Sequence, residues 1–312
     1  MSADQPVPVP MTHELQFKTA MDFTYGEAAP VSPGIVRIVA ENPSPLTFKG
    51  TNTYLVGMTE LAVIDPGPKS ETHLAAILKA AGRRPIRQIF VTHAHRDHVD
   101  GAEALKAATG APILGYGREA FAPVGPDTNP QGSEFIDFVF TPDMKLDHGA
   151  IVEEKEWRLE ALHTPGHAPD HLCFALLGRS VLFSGDHVMA WNTTLVAPPE
   201  GNMADYVDSL SLLLPRADNV YLPGHGGRLD DPQRTVRAYL LHRRWREDQV
   251  LDAIRGGIGT IQSIVPIIYP TLDLKLSSAA ALSVQAHVEH LIARGLVTCD
   301  GSPTWDRPLS PT

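Results

Sequence analysis

The chain has 312 residues, of which 43% are hydrophobic and 20% charged, with a formal net charge of −10. That is enough apolar material for a sizeable core and a length that suits about two domains. No run of about 18 apolar residues is present, and residues 1–10 lack the basic start and apolar stretch of a secretory signal, so a cytoplasmic chain with no membrane span is expected. Cys173 and Cys299 have no Cys-x-x-Cys spacing, which argues against a disulfide framework.

Residues 1–34 are rich in proline and polar side chains and read as an extended arm. Short apolar runs bounded mostly by Gly, Pro or Asn then predict strands at 34–40, 53–57, 61–64, 88–91 and 112–116. Residues 70–81 read as a helix capped by Ser70, with Leu74, Ile77 and Leu78 on one face. Asp100 and Glu103 have capping-box spacing and predict a helix starting there. Further strands are expected at 157–162, 172–177, 180–183 and 219–222. Beyond Gly227 the pattern turns helical: 234–255 stopped by Gly256-Gly257, then 260–269 and 277–294, followed by a hairpin signal at Asp300-Gly301 within 296–305. Periodicity alone supports an α/β or α+β fold.

The chemistry is concentrated in four blocks. Thr92-His93-Ala94-His95-Arg96-Asp97-His98 is followed by Gly166-His167, Ser184-Gly185-Asp186 and Gly224-His225-Gly226. Three of these blocks come directly after short apolar runs, and strand ends hold ligands more rigidly than long loops do. His93 and His95 at i and i+2 can turn both imidazoles toward one ion, while Asp97 and His98 on the following turn can face a second. Imidazoles and carboxylates without thiolates suit zinc, with manganese or iron as alternatives, and seven ligands are too many for one tetrahedral ion. Two Zn²⁺ per chain are therefore expected. A lone His-x-His is often structural, but four blocks spread so widely in sequence need a folded core to bring them together.

At these blocks the chain resembles the metallo-β-lactamase superfamily, whose His-x-His-x-Asp-His pattern is matched by His93, His95, Asp97 and His98. The resemblance implies that His93, His95 and His167 hold one ion and that Asp97, His98 and His225 hold the other. It further implies that Asp186 bridges them, with a catalytic water or hydroxide between. It also implies an αββα sandwich with a C-terminal helical, winged-helix-like domain, so the expected division is 1–34, 35–230 and 231–312. The commonest zinc β-lactamases carry a cysteine where Asp186 stands, messenger-RNA-end nucleases carry a large insertion that the Asp186–His225 interval lacks, and glyoxalase II enzymes usually read Gly-His-Glu-Tyr at the His225 block. Residues 50–57, 164–171, 184–188 and the segment 191–210 are instead similar to the β-lactamase-like protein 2 branch, a resemblance that covers roughly 35–300.

The expected activity is a dinuclear metal-dependent hydrolase acting on a small ester or thioester, with Asp97 steering the water and carrying a proton, or serving as a ligand only. Endoribonuclease action on single-stranded RNA is the alternative, and a non-catalytic metal-binding protein of the same fold is a third. Residues 234–312 hold 9 Lys and Arg against 7 Asp and Glu, so the acidic excess lies in the ligand-bearing part. Such a surface opposes binding that depends on counterion release, and the C-terminal part is read as packing or substrate wall rather than a duplex reader. Asn192, Thr193, Thr194 and His171 are candidate substrate contacts, while His171, four residues after His167, and His187, beside Asp186, are also candidate supporting groups or proton carriers. His148, His163, His242, His287 and His290 are not expected to be ligands. Sequence leaves the oligomeric state open.

Overall fold

The short apolar runs become strands that bury their side chains between two sheets. The computed structural model describes residues 15–118, 139–271, 273 and 276–312. Among the described residues the first sheet runs in the order β1 (Ala29–Ser32), β2 (Ile35–Val39), β3 (Asn52–Val56), β4 (Leu61–Ile64), β5 (Ile86–Phe90), β6 (Ile113–Gly115) and β7 (Met144–Lys145). It is antiparallel up to β4 and parallel from there on. The second sheet has the order β12 (Val220–Pro223), β11 (Val181–Gly185), β10 (Leu172–Leu176), β9 (Arg158–His163) and β8 (Ile151–Glu153), with only the β11–β12 pair parallel.

Between the sheets, Ile35, Tyr54 and Phe90 of the first meet Leu159, Phe174, Phe183 and Leu222 of the second. Phe90 packs edge-on against Phe174 at 5.2 Å and Trp157 at 6.0 Å, geometries that suit the aromatic quadrupole. The outer face of the first sheet is covered by α1 (Glu71–Ala81) and α3 (Ala102–Thr109). That of the second is covered by α4 (Met203–Leu213) and the first half of α5 (Pro232–Arg255). This is the expected αββα sandwich.

Ser70 caps α1, its side chain accepting the His73 N–H, and Asp231 caps α5 with Pro232 in the first turn, the arrangement that leaves fewest orphan donors. The second half of α5 enters a separate core with α6 (Ile261–Ile268), α7 (Ser277–Ala293) and the ribbon of β13 (Val297–Cys299) and β14 (Leu309–Pro311). Helix α5 is thus shared by both cores, Val236 and Tyr239 lying in one and Val250 and Ile254 in the other. Among the described residues no helix is long and apolar enough to cross a membrane.

Three expectations change in detail. Residues 29–32, read as part of the arm, form the edge strand β1, with a register shift between Pro30 and Ser32. Proline disguises such a strand but is tolerated at a sheet edge. Residues 1–14 of the arm lie outside the described residues. The capping box at Asp100 does not form: Gly101 is the cap of α3, and a short helix α2 (Arg96–Val99) already holds Asp97 and His98. The C-terminal hairpin is wider than the Asp300-Gly301 signal implied, since Cys299 pairs with Leu309.

Candidate metal centre

Three of the blocks lie at strand ends or on the helix that follows, and His167 lies in the loop between β9 and β10. His93 and His95 follow β5, with Asp97 and His98 on α2, Asp186 directly after β11 and His225 just beyond β12. The ligand atoms converge: His95 Nδ1 lies 2.9 Å from His93 Nε2 and 3.1 Å from His167 Nε2. Asp97 Oδ2 lies 3.3 Å from Nε2 of both His98 and His225. Asp186 reaches both groups, with Oδ2 3.3 Å from His225 Nε2 and 3.7 Å from His167 Nε2, and Oδ1 3.6 Å from His98 Nε2. The resulting trios are His93–His95–His167, His93–His98–Asp186 and Asp97–His98–His225.

In His93, His98, His167 and His225 the other ring nitrogen is committed to the protein. His93 Nδ1–H donates to Thr92 Oγ1 at 2.9 Å, His98 Nδ1–H to Asp65 Oδ2 at 2.9 Å, His167 Nδ1–H to the Leu195 carbonyl at 2.7 Å and His225 Nδ1–H to the Gly50 carbonyl at 3.2 Å. Each donation keeps the proton on Nδ1, so that Nε2 is the nitrogen that carries the lone pair when the ring is neutral. Thr51 Oγ1 donates to Asp97 Oδ2 at 2.8 Å.

Charge is distributed in keeping with cation binding. Burial and the neighbouring imidazoles hold His93 well below the usual histidine value, and burial, then His167, bring His95 down to about 3. Burial by itself would raise Asp97 and Asp186, but His98 and His225 outweigh it and keep both carboxylates well below the ordinary range. Burial likewise opposes a charge on His98 and His225, yet the carboxylates win, lifting His98 well above the usual value and His225 to about 10. Asp186 Oδ1 is buried without a hydrogen-bond partner, a costly state for an anionic oxygen that a cation relieves. The donor set fits transition-metal ions. A Cβ at Gly224 would fall 2.4 Å from Asp186 Oδ1 and 2.6 Å from His98 Cε1, so glycine there keeps the ligand space open.

The weaker candidates divide. His171 is fully buried; its Nε2 accepts the Asp186 N–H at 3.1 Å, so its proton sits on Nδ1 and goes to Thr164 Oγ1 at 2.9 Å. Thr194 is buried too, its hydroxyl on the Asp186 carbonyl at 2.7 Å. The structure places both behind the ligands rather than at the cleft surface, because their polar atoms are taken by the backbone that carries Asp186. Asn192 is exposed and Thr193 half-buried, next to Trp191, whose ring stacks on Phe48 at 4.8 Å. His187 is buried edge-on to Tyr206 at 4.8 Å. His163 stacks on Tyr116, and His287 and His290 face Glu247, away from the trios.

Sequence reasoning missed the groups that hold the ligands. Asp65, at φ 51°, accepts from Thr92 N–H, Thr92 Oγ1 and His98. Asn52 donates to the Pro223 and Gly226 carbonyls, both at 2.9 Å, tying β3 to the His225 loop. Asp170 Oδ2 accepts from Ala94 N–H at 2.9 Å, while its Oδ1 and Glu200 share the buried Arg118. Only Asp65, a carboxylate at the end of the apolar run 61–64, carried a signal of the strand-end kind.

Residues 46–225 match the metallo-β-lactamase superfamily, and residues 260–305 match the β-lactamase associated winged helix domain. The chain belongs to the metallo-β-lactamase superfamily. It is 29% identical over 280 residues to the β-lactamase-like protein 2 homolog of Drosophila melanogaster, an alignment covering 85% of this chain and 90% of that one. It is 30% identical over 262 residues to the atrochrysone carboxyl ACP thioesterase of Aspergillus chevalieri, covering 80% and 78%. A solved β-lactamase domain protein from Burkholderia ambifaria superposes with a TM-score of 0.77 at 21% identity over 97% of this chain and 98% of that one. Fold, family and ligand set together define a metal-binding hydrolase.

Proposed function

We propose that the protein is a dinuclear, zinc-dependent hydrolase that cleaves a small thioester or ester. The observation that carries the reading is Asp186, whose two oxygens face ligands of both implied ions. His93, His95 and His167 would hold one ion, and Asp97, His98 and His225 the other. The thioesterase relative and the acidic excess of the ligand-bearing part support the substrate class. Zinc suits the imidazole-rich set; iron is the second candidate, supported by a solved relative described in a di-iron-bound form (TM-score 0.50, 26% identity, covering 63% of this chain and 95% of that one).

When bound, the ion pair supplies Lewis acidity that lowers the pKa of water and polarises the carbonyl under attack. The protein's own residues do the rest. Asp97, with 25% of its side chain exposed against 9% for Asp186, is the ligand carboxylate better placed to exchange protons with the cleft. It takes the proton from the attacking water and returns it to the departing thiolate as the C–S bond breaks, leaving a carboxylic acid, which then loses its proton to solvent, and a free thiol. Asn192 and Thr193 are the side chains offered to the substrate. The division at about residue 230 is retained as the domain proposal, with α5 at the join and the start of the first domain moved from 35 to take in β1.

The test is zinc-reconstituted protein assayed by thiol release from S-phenyl thioacetate and by cleavage of a single-stranded RNA oligonucleotide, each over a range of salt. Thioester turnover that varies weakly with salt and disappears in Asp97→Ala is expected. RNA cleavage lost in Asp97→Ala, with a steep salt slope and no thioester turnover, would overturn the reading.

A further inference from the structure

Helix α5 does more than join two cores. Its Tyr239 and Arg243, one turn apart and buried, project onto the segment 189–195 that follows Asp186. The Tyr239 hydroxyl accepts from Met189 N–H at 3.3 Å and lies within donating distance of the Met189 carbonyl, at 2.7 Å, and the Asn192 carbonyl. The Arg243 guanidinium donates to the Thr194 carbonyl and lies 5.0 Å over the ring of Tyr206. Tyr206 in turn donates to the His187 carbonyl at 2.8 Å.

The gripped segment touches two ligands. Leu195, the next residue after Thr194, supplies the carbonyl that takes the His167 Nδ1 proton, and Thr194 Oγ1 donates to the Asp186 carbonyl. An imidazole keeps its ligating nitrogen aimed only while the partner of its other nitrogen is fixed. A buried guanidinium is also expensive to place, and here it donates to that segment.

We propose that Arg243 and Tyr239 are positioning residues for the metal centre, setting the orientation of His167 and Asp186 through the backbone of 189–195. The C-terminal part of the chain is thereby coupled to metal affinity without contributing a ligand. The inference rests on the metal-ligand assignment above.

The experiment compares zinc affinity, by chelator competition, and the ¹⁵N-edited His167 Nδ1–H signal of the metal-free protein in wild type, Arg243→Ala, Arg243→Lys, Tyr239→Phe and Arg246→Ala. Arg246 is the control, because its guanidinium stacks on Trp245 and Tyr269 and bonds the Ile268 carbonyl rather than the segment 189–195. Arg243→Ala should weaken zinc binding by about 10–100-fold and lose the protected imidazole proton. Arg243→Lys should recover part of both, Tyr239→Phe should show a smaller loss, and Arg246→Ala should change thermal stability but neither readout. Should Arg243→Ala fail to fold, the lysine and phenylalanine variants carry the same comparison. Wild-type affinity and an unchanged His167 signal in the Arg243 and Tyr239 variants would overturn the proposal, as would an equal affinity loss in Arg246→Ala. A wild type that binds no zinc would instead contradict the ligand assignment.

Discussion

His98 donates its Nδ1 proton to Oδ2 of Asp65 at 2.9 Å, and the same carboxylate oxygen takes the hydroxyl of Thr92, which in turn receives Nδ1–H of His93. One carboxylate at the end of β4 therefore orients ligands of both implied ions. Asp65→Asn offers one acceptor oxygen where three donors converge, so zinc affinity should fall about 10–100-fold. Competition with a chromophoric chelator measures this, and unchanged affinity would show that His98 is held by its packing alone.

The seven candidate ligands were legible because metal chemistry demands particular residue types, and the structure brings all seven together although only three of their four blocks follow apolar runs. Their supports were not. Asp65, Asn52, Asp170 and Arg118 act through contacts between residues far apart in sequence, and single polar residues of these types are common on any surface. Helix α4 also escaped, its apolar residues being mixed with Asp205, Asp208, Ser209 and Ser211. Thr194 and His171 were candidates through nearness in sequence to Asp186 and His167 respectively, which does not say whether a side chain faces the cleft or the backbone behind it.

Arg118 is fully buried and meets Asp170 at 3.1 Å and Glu200 at 2.6 Å. Removing it strands two carboxylates, one of which holds the Ala94 amide of the ligand loop. Breaking a buried pair from one side costs about 3–5 kcal/mol, and Arg118→Ala should lose that much in urea unfolding. A loss below about 1 kcal/mol would mean that water reaches the pair.

Acid should weaken the C-terminal core. Burial brings His287 from 6.5 down to about 4, so the unfolded chain takes up its proton first and stability falls as pH drops from 6.5 toward 4. Burial would raise Glu247, but His287, 4.0 Å away, and its bonds with His290 and Arg294 prevail and hold it below 4.5. The stabilisation from a depressed carboxylate is complete above 4.5 and is lost as pH falls through its folded value, which is the same direction. Urea midpoints should therefore decline on acidification, and His287→Leu should flatten the slope between pH 6.5 and 4. An identical slope in the variant would assign the acid sensitivity elsewhere.

The most direct test is to titrate metal-free protein with zinc while following thiol release from S-phenyl thioacetate. Turnover should climb to a plateau at two equivalents per chain, and Asp186→Asn, lacking the carboxylate that faces both ligand groups, should show neither the plateau nor tight binding. A plateau at one equivalent, or thioester turnover that needs no metal, would contradict the account.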